Sequence, residues 1–238
     1  MADYKIGIVV ADADEYRPLG EYIEKGEFTP YSFLGRKGHK FNIKTENGTA
    51  EVVSILCGIG KVNATAIAAH FASCGFDIIL NYGLSGGVSG ISRGELCVCD
   101  RFLEHDFDLT GIGYKLCEKP GQKYIYEANK ALMEICRKIV PNAKSGTAVS
   151  GDRFICDEEV RLRLKNEFEA MCCDMETAAI AYVCDFASIP FLALRRISDD
   201  AGSDALESYR EMNTSDETLL SDYVIDLIGG IIDSGFAV

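Results

Sequence analysis

The sequence predicts a single α/β domain over residues 1–238, with a three-layer αβα architecture around a mixed, mostly parallel central sheet. The first observation is that short apolar or β-branched runs alternate with longer segments of helical period, as in a sheet covered by helices on both faces. The second is an Asn-Gly turn between two short strand-like runs, which adds an antiparallel hairpin. The third is the length, because 238 residues suit one domain with a large core.

Six short runs have the apolar, β-branched character of strands that are buried on both faces. The hairpin joins Phe41–Thr45 to Ala50–Val53 through Glu46-Asn47-Gly48, so the predicted sheet is mixed rather than purely parallel. The six predicted strands are Lys5–Val10, Ala50–Cys57, Asp77–Tyr82, Glu95–Phe102, Thr147–Ser150 and Pro190–Ile197.

Four segments between and after these strands have helical period. Thr214 or Ser215, with acidic residues after them, is the expected N-cap of the last helix. The longest predicted loop runs from Asp106 to Gln122. The four predicted helices are Val62–Ser73, Glu158–Phe168, Met175–Phe186 and Thr218–Ile232.

Composition excludes several classes of function. A formal net charge of −13 argues against a protein that binds a nucleic-acid backbone, which needs a basic face. The N-terminal residues lack the basic and apolar regions of an export signal, and no apolar run reaches membrane-spanning length. We therefore expect a cytoplasmic protein with no membrane or nucleic-acid partner.

The sequence contains ten cysteines and three histidines, the residue types that most often bind metal ions. The cysteines form no C-x-x-C pair, several lie inside apolar runs such as Leu96–Cys99, and no histidine stands at ligand spacing from them. Small apolar packing residues are the favoured interpretation, in the reduced state of a cytoplasmic protein. The sequence thus predicts neither a metal nor a cofactor.

Carboxylates, glycines and one arginine, Arg195, cluster at the predicted carboxyl ends of strands, where open α/β sheets bind ligands. Neither of the glycine-rich turns there matches a phosphate-binding or dinucleotide-binding motif. The segments that follow predicted strands are Ala11–Glu15, Gly58–Lys61, Gly83–Gly87, Gly151–Ile155 and Ser198–Asp200, and Asp174–Glu176 precedes a predicted helix.

Each carboxylate also has an ordinary structural interpretation. Asp199 alone is as readily a helix cap as an acid, and Glu15 alone resembles a solvated carboxylate at a helix start. Glu176 is harder to explain in that way, because it lies between Met175 and the apolar stretch Ala178–Ile180, where a buried helix should begin. The residues alone therefore leave the function open.

Seven segments taken together resemble one family. They are KIGIVVADADE, CGIGKVNA, NYGLSGGV, HDFDLTGIGY, VSGDRFI, CDMETAAIAYVC and RRISDDA, in an order and spacing that extend from Lys5 to about Ile232. The chain resembles the 5′-methylthioadenosine/S-adenosylhomocysteine nucleosidases of the nucleoside phosphorylase superfamily. The resemblance implies a nucleoside phosphorylase-like fold and hydrolysis of the N-glycosidic bond of a purine nucleoside.

The resemblance also implies roles for individual residues. Asp199 matches the acid that protonates N7 of the purine, and Ser198 matches the residue that orients this carboxyl group. Glu15 matches the carboxylate that activates water, and Glu176 matches the acid that holds the ribose hydroxyls. Arg195 corresponds to the arginine that helps place water or an anion at the nucleophile position.

The remaining matched residues would surround the substrate. Phe154 is expected against the base, backbone groups of Ile155 at the adenine edge, and Met175 near the ribose. The family's pocket for the 5′ substituent is apolar and partly supplied by a neighbouring subunit, so the resemblance implies a homodimer with a subunit-shared site. The matching pocket positions are Ile59, Leu109, Ile112, Tyr114, Pro120 and Tyr209.

Two departures from the family pattern bear on the reaction. Leu84 stands where many relatives have a serine near the nucleophile, which favours hydrolysis over phosphorolysis, and Asp12 stands where relatives often have an apolar residue. Three alternatives stay open: a purine nucleoside phosphorylase, a nucleosidase for another substrate such as futalosine, and a binding or sensor protein that has lost the chemistry.

Overall fold

The structure, a computed structural model, describes residues 2–213 and 219–237. The expected cap at Thr214 or Ser215 lies outside the described residues. The strands are β1 Ala2–Val10, β2 Phe28–Phe33, β3 Arg36–Lys44, β4 Gly48–Leu56, β5 Ile78–Gly87, β6 Leu96–Glu104, β7 Tyr126–Glu127, β8 Lys144–Ser150, β9 Ala170–Asp174 and β10 Phe191–Asp199. The helices are α1 Ala13–Glu24, α2 Lys61–Ser73, α3 Lys130–Ile139, α4 Glu158–Phe168, α5 Thr177–Ala187, α6 Ala205–Asn213 and α7 Leu219–Ser234.

The strands form one mixed sheet whose central strands pair in parallel. β1 pairs in parallel with β4 and β5, and β5 pairs in parallel with β10. The predicted hairpin is confirmed as the antiparallel pair β3–β4, and β2 extends it at the edge. The α/β class with a mixed sheet is therefore confirmed.

One half of the sheet closes on itself, which the sequence did not indicate. β10 pairs with β6, β6 with β8, β8 with β9, and β9 returns to β5. Because β5 also pairs with β10, these five strands make a ring. The carboxyl ends of β5, β8, β9 and β10 consequently lie close together.

Burial follows the predicted pattern for strands enclosed on both faces. Ile6, Ile8, Val9 and Val10 of β1 are completely inaccessible to solvent. Helix α2 packs with α5, and α3 packs with α7. None of the helices in the described part of the chain is long and apolar enough to cross a membrane.

All six predicted strands and all four predicted helices are present, with ends that differ by a few residues. Six elements were not predicted, namely α1, α3, α6, β2, β7 and β9. Helix α1 contains Pro18, which is unfavourable inside a helix, and β9 has only five residues and directly follows a helix. The hydrophobic periodicity of the sequence therefore indicates neither element. The long loop contains a 3-10 helix at Thr110–Ile112. Assignment of the whole chain to one domain stays a prediction.

Candidate active site

A cavity of about 360 Å³ lies at the carboxyl ends of the ring strands. All six segments singled out from the sequence contribute to it, and they follow β1, β4, β5, β8, β9 and β10 or end these strands. Its lining residues are Ala11, Asp12, Glu15, Ile59, Leu84, Ser85, Gly86, Arg153, Phe154, Ile155, Cys173, Asp174, Met175, Glu176, Arg195, Ser198, Asp199 and Tyr209.

Asp199 ends β10 at one side of the cavity. The pairing of β10 with β5 shifts register between Ile197 and Asp199, which leaves Ser198 as an extra residue. Such a bulge re-aims neighbouring side chains, and here both Ser198 and Asp199 line the cavity. The Ser198 hydroxyl donates to Asp199 Oδ2 at 2.6 Å, and the Ala201 backbone N–H donates to Oδ1 at 2.8 Å.

The environment of Asp199 favours its protonated form. Its residue is only 2% exposed, and burial raises the pKa of the carboxyl group above its ordinary value despite the two hydrogen bonds. A raised pKa makes a buried carboxyl group better suited to donate a proton to a bound ligand.

Glu15 lines the cavity from the first turn of α1. Asp12 caps this helix by accepting the Asp14 N–H at 2.8 Å, and Glu15 Oε1 accepts the Leu84 N–H at 2.8 Å. A side chain at Gly83, the residue before Leu84, would displace both Glu15 and Arg195. A Cβ atom on Gly83 would lie 2.7 Å from Glu15 Oε2 and 2.6 Å from a guanidinium nitrogen of Arg195.

Burial raises the pKa of Glu15 to about 8. The Leu84 hydrogen bond and the Arg195 charge oppose this increase, whereas the nearby carboxylate of Glu176 adds to it. Glu15 is therefore a carboxyl group that changes protonation state near neutral pH, as expected of a general base or acid.

Glu176 also lines the cavity, immediately before α5. Its Oε1 accepts the Gly60 N–H at 2.7 Å, and its Oε2 accepts the Met175 N–H at 3.2 Å. Gly60 has a φ of 100°, which glycine adopts readily, and this conformation directs its N–H toward the carboxylate. Burial and the neighbouring charge of Asp174 raise the pKa of Glu176 to about 7.

Arg195 forms a buried network under the cavity floor. Its Nε donates to Asp174 Oδ2 at 3.0 Å and to Thr177 Oγ1 at 3.1 Å, and its Nη2 also contacts Asn81 Oδ1. Asp174 Oδ1 accepts the Ser150 hydroxyl at 2.5 Å and the N–H groups of Glu176 and Thr177 at 3.2 Å each. The network holds the start of α5, and with it Glu176, in the wall of the cavity.

Comparison with known proteins identifies the family. A model described as the phosphorylase superfamily matches residues 5–228. The 5′-methylthioadenosine/S-adenosylhomocysteine nucleosidase of Staphylococcus haemolyticus is 36% identical, and the alignment covers 87% of this chain and 91% of that protein. The chain belongs to this nucleosidase family of the phosphorylase superfamily.

Two further similarities agree with this assignment. The crystal structure of the Helicobacter pylori 5′-methylthioadenosine/S-adenosylhomocysteine nucleosidase with butyl-thio-DADMe-Immucillin-A superposes with a TM-score of 0.89 at 26% identity, covering 96% of this chain and 99% of that one. The aminodeoxyfutalosine nucleosidase of Campylobacter jejuni is 27% identical over 94% of this chain and 97% of that protein.

Most of the residues that the resemblance singled out meet at the cavity. Phe154 and Tyr209 approach each other at its mouth, with ring centroids 5.6 Å apart and an edge-on orientation. Ile155 is buried, whereas Phe154 and Ile59 remain partly exposed. Residues from the prediction that line the cavity are Glu15, Ile59, Phe154, Ile155, Met175, Glu176, Arg195, Ser198, Asp199 and Tyr209.

Four predicted residues do not line the cavity of this chain. Leu109, Ile112, Tyr114 and Pro120 all lie on the long loop after β6, and Ile112 is 72% exposed. The expectation that a neighbouring subunit supplies part of the pocket stays a prediction.

Sequence reasoning gave no role to Asp174, Arg153 or Cys173, which also line the cavity. The sequence places Asp174 only in a segment that precedes a predicted helix. Its ion pair with Arg195 is almost fully buried, with both side chains 3% exposed. An arginine within a predicted buried strand requires a carboxylate partner, since an unpaired guanidinium is rarely enclosed in a core. That requirement was the signal that would have identified Asp174.

Proposed function

We propose that this protein hydrolyses the N-glycosidic bond of 5′-methylthioadenosine and S-adenosylhomocysteine, releasing adenine and the 5-thio-substituted ribose. The observation that carries the proposal is one cavity lined by three buried carboxyl groups, Asp199, Glu15 and Glu176, each with a pKa raised by burial. The nucleosidase family to which the chain belongs supports this reaction class.

The acid step falls to Asp199. Protonation of N7 allows adenine to leave as a neutral base, which weakens the bond between N9 and C1′. Ser198 and the Ala201 N–H fix both carboxyl oxygens, so the group needs no reorganisation before it donates. Phe154 would lie against the purine ring, and backbone groups of Ile155 would contact its edge.

The opposite face of the ribose requires a nucleophile. Glu15, in its ionised form, would accept a proton from water as the water oxygen attacks C1′. Glu176 would accept hydrogen bonds from the ribose hydroxyls, and its negative charge would stabilise the cationic sugar of the transition state. Arg195 would hold Glu176 in place through its ion pair with Asp174 at the start of α5. Met175 would pack near the ribose.

The 5′ substituent would lie among apolar side chains. Ile59 and Tyr209 line this chain's cavity, and the loop that carries Leu109 to Pro120 would complete the pocket of a neighbouring subunit. We therefore propose a homodimer in which each site is shared. The cytoplasmic location and the absence of a nucleic-acid partner stay predictions from composition.

Aminodeoxyfutalosine is the second candidate substrate, because a relative of similar overall length that is 27% identical is named as an aminodeoxyfutalosine nucleosidase. The apolar character of Ile59, Leu109 and Ile112 favours a thioether over a larger polar 5′ group. Phosphorolysis is disfavoured by Leu84, which places an isobutyl group and no hydroxyl next to the nucleophile position.

The test is a substrate panel with identification of both products by liquid chromatography and mass spectrometry, with and without inorganic phosphate. We expect adenine and a free thioribose from both proposed substrates, at rates that do not depend on phosphate. A sugar 1-phosphate that forms only with phosphate present would refute hydrolysis. Faster turnover of aminodeoxyfutalosine would reassign the substrate, and binding without cleavage would indicate a sensor.

A further inference from the structure

Three cysteine thiols converge in the closed half of the sheet. Cys97 and Cys99 are two residues apart on β6, so their side chains leave the same face of that strand, and Cys172 lies on β9. All three residues are completely buried, and their sulfur atoms lie within 4.8 Å of one another. In the part of the chain that the structure describes, no other group of three or more candidate metal ligands satisfies this criterion.

The spacing of the sulfurs suits a single metal ion. Thiolates bound at about 2.3 Å from one cation lie about 4.0 Å apart when three of them surround it in a plane. Cys97 Sγ and Cys99 Sγ are 3.9 Å apart. The three sulfurs therefore need only small side-chain rotations to coordinate one ion.

A fourth sulfur lies beside the cluster. Met171 Sδ is 3.7 Å from Cys97 Sγ. Met171 folds over Gly146 of β8, where a Cβ atom would come within 2.9 Å of Sδ and 2.8 Å of two methionine carbons. The absence of a side chain at residue 146 thus keeps the thioether against Cys97.

Met171 also connects the thiols to the surface. It lines a polar cleft of about 550 Å³, on the β7 and α3 side of β6 and β8. Three acidic residues of this cleft, Asp100, Glu127 and Glu169, would attract a cation, although Arg101 pairs with Glu169 and Lys130 is also present. A cation would reach the cluster from this cleft by way of the thioether.

We propose that Cys97, Cys99 and Cys172 bind one soft monovalent cation, Cu(I), with Met171 as an entry ligand. Ligands that are all thiolate or thioether select soft ions, whereas zinc usually completes four strong ligands and magnesium or calcium requires oxygen. Binding displaces thiol protons to solvent and involves no oxidation or reduction. The guanidinium of Arg195, whose strand position pairs with Cys97, offsets part of the thiolate charge.

The sequence had predicted only packing roles for these cysteines, and the proposed site is separate from the nucleoside cavity. None of the three thiols, nor Met171, lines that cavity. The proposal does not depend on the nucleosidase assignment.

The test is an anaerobic titration of the reduced, metal-free protein with Cu(I) in competition with a chromophoric Cu(I) chelator. Wild-type protein should retain one equivalent, and replacing the three cluster cysteines together by alanine should reduce the affinity at least about 100-fold. Cys136→Ala, which removes another buried thiol, and the double variant Cys74→Ser with Cys156→Ser, which removes the exposed thiols, should retain wild-type affinity.

Retention by the triple variant, or loss in the double variant, would overturn the proposal. X-ray absorption of the copper-loaded wild-type protein provides a measurement that does not depend on variant folding. We expect a first shell of sulfur only, with three or four sulfur atoms. A shell containing nitrogen or oxygen, or no retained copper in competition with the chelator, would contradict the site.

Discussion

The two sides of the nucleoside cavity use the same physical effect for opposite purposes. Asp199 and Glu15 are both carboxyl groups whose pKa is raised mainly by burial. Asp199 is held by its immediate neighbours, Ser198 and Ala201, whereas Glu15 is held by the backbone of Leu84 on a distant strand. Burial helps an acid to keep its proton, but it hinders a base, which must first lose one.

This difference predicts that the protonation state of Glu15 affects the rate near neutral pH. With a pKa of about 8, Glu15 is mostly protonated at pH 7 in the free enzyme. Substitutions on the two sides should therefore affect different steps of one reaction.

The largest expected effect is on the acid side. Asp199→Asn retains the shape of the side chain but has no acidic proton, so kcat should fall by about 10²- to 10⁴-fold with little change in KM. Adenine release measured by chromatography checks this. Asp200→Asn is the matched control, since Asp200 is exposed and does not line the cavity, and it should change kcat less than threefold. Equal losses in both variants would remove Asp199 from the mechanism.

The next effect concerns pH on the base side. p-Nitrophenyl 5-methylthioriboside carries a leaving group, p-nitrophenolate, that is stable as an anion. Its cleavage therefore needs ionised Glu15 but no acid to protonate the leaving group. Its kcat/KM should fall about tenfold for each pH unit below about 8, because protonation removes the base. Absorbance of released nitrophenolate, corrected for its own ionisation, gives the profile. A rate that is independent of pH between 6 and 8 would contradict the role of Glu15.

The same group should affect stability. The pKa of Glu15 is raised from 4.5 to about 8 on folding, so its stabilising contribution is fully present below about pH 4.5 and is lost as the pH rises through about 8. Glu15→Gln cannot ionise, so it avoids this loss of stability at high pH. Its Tm should exceed that of the wild type by a few degrees at pH 9 and by less at pH 5. Calorimetry at the two pH values measures it. A gain that is larger at pH 5 would reverse the sign and contradict the burial of this carboxyl group.

The smallest expected effect is at Leu84, whose side chain lines the cavity near Glu15. Leu84→Ser supplies a hydroxyl that is able to hold the attacking water, and kcat/KM should rise a few-fold. Leu84→Ala is the control, because it removes the isobutyl group without adding a hydroxyl. An equal gain in both variants would attribute the effect to space rather than to water positioning.

Local sequence patterns located much of this site. The rule that ligands bind at strand carboxyl ends brought together Glu15, Glu176 and Asp199, and the family resemblance assigned them roles. The three residues do line one cavity. Apolar runs were sufficient for the central strands, because burial on both faces leaves a continuous apolar pattern.

Long-range features were not accessible in the same way. The ring closes through two antiparallel pairs, Gly86 with Cys173 and Gly87 with Cys172, and residues so far apart in sequence carry no local signal of their contact. The ion pair of Arg195 with Asp174 depends on the same closure. The cysteine cluster does as well, which explains why the thiols appeared to be scattered.

The most direct test compares Asp199→Asn and Glu15→Gln on two substrates, 5′-methylthioadenosine and p-nitrophenyl 5-methylthioriboside. If Asp199 only protonates the leaving base, the kcat of its variant should fall about 10²- to 10⁴-fold on the nucleoside. The same variant should cleave the nitrophenyl riboside at nearly the wild-type rate. Glu15→Gln should be impaired on both. An Asp199→Asn deficit of the same size on both substrates would contradict the division of labour between the two sides of the cavity.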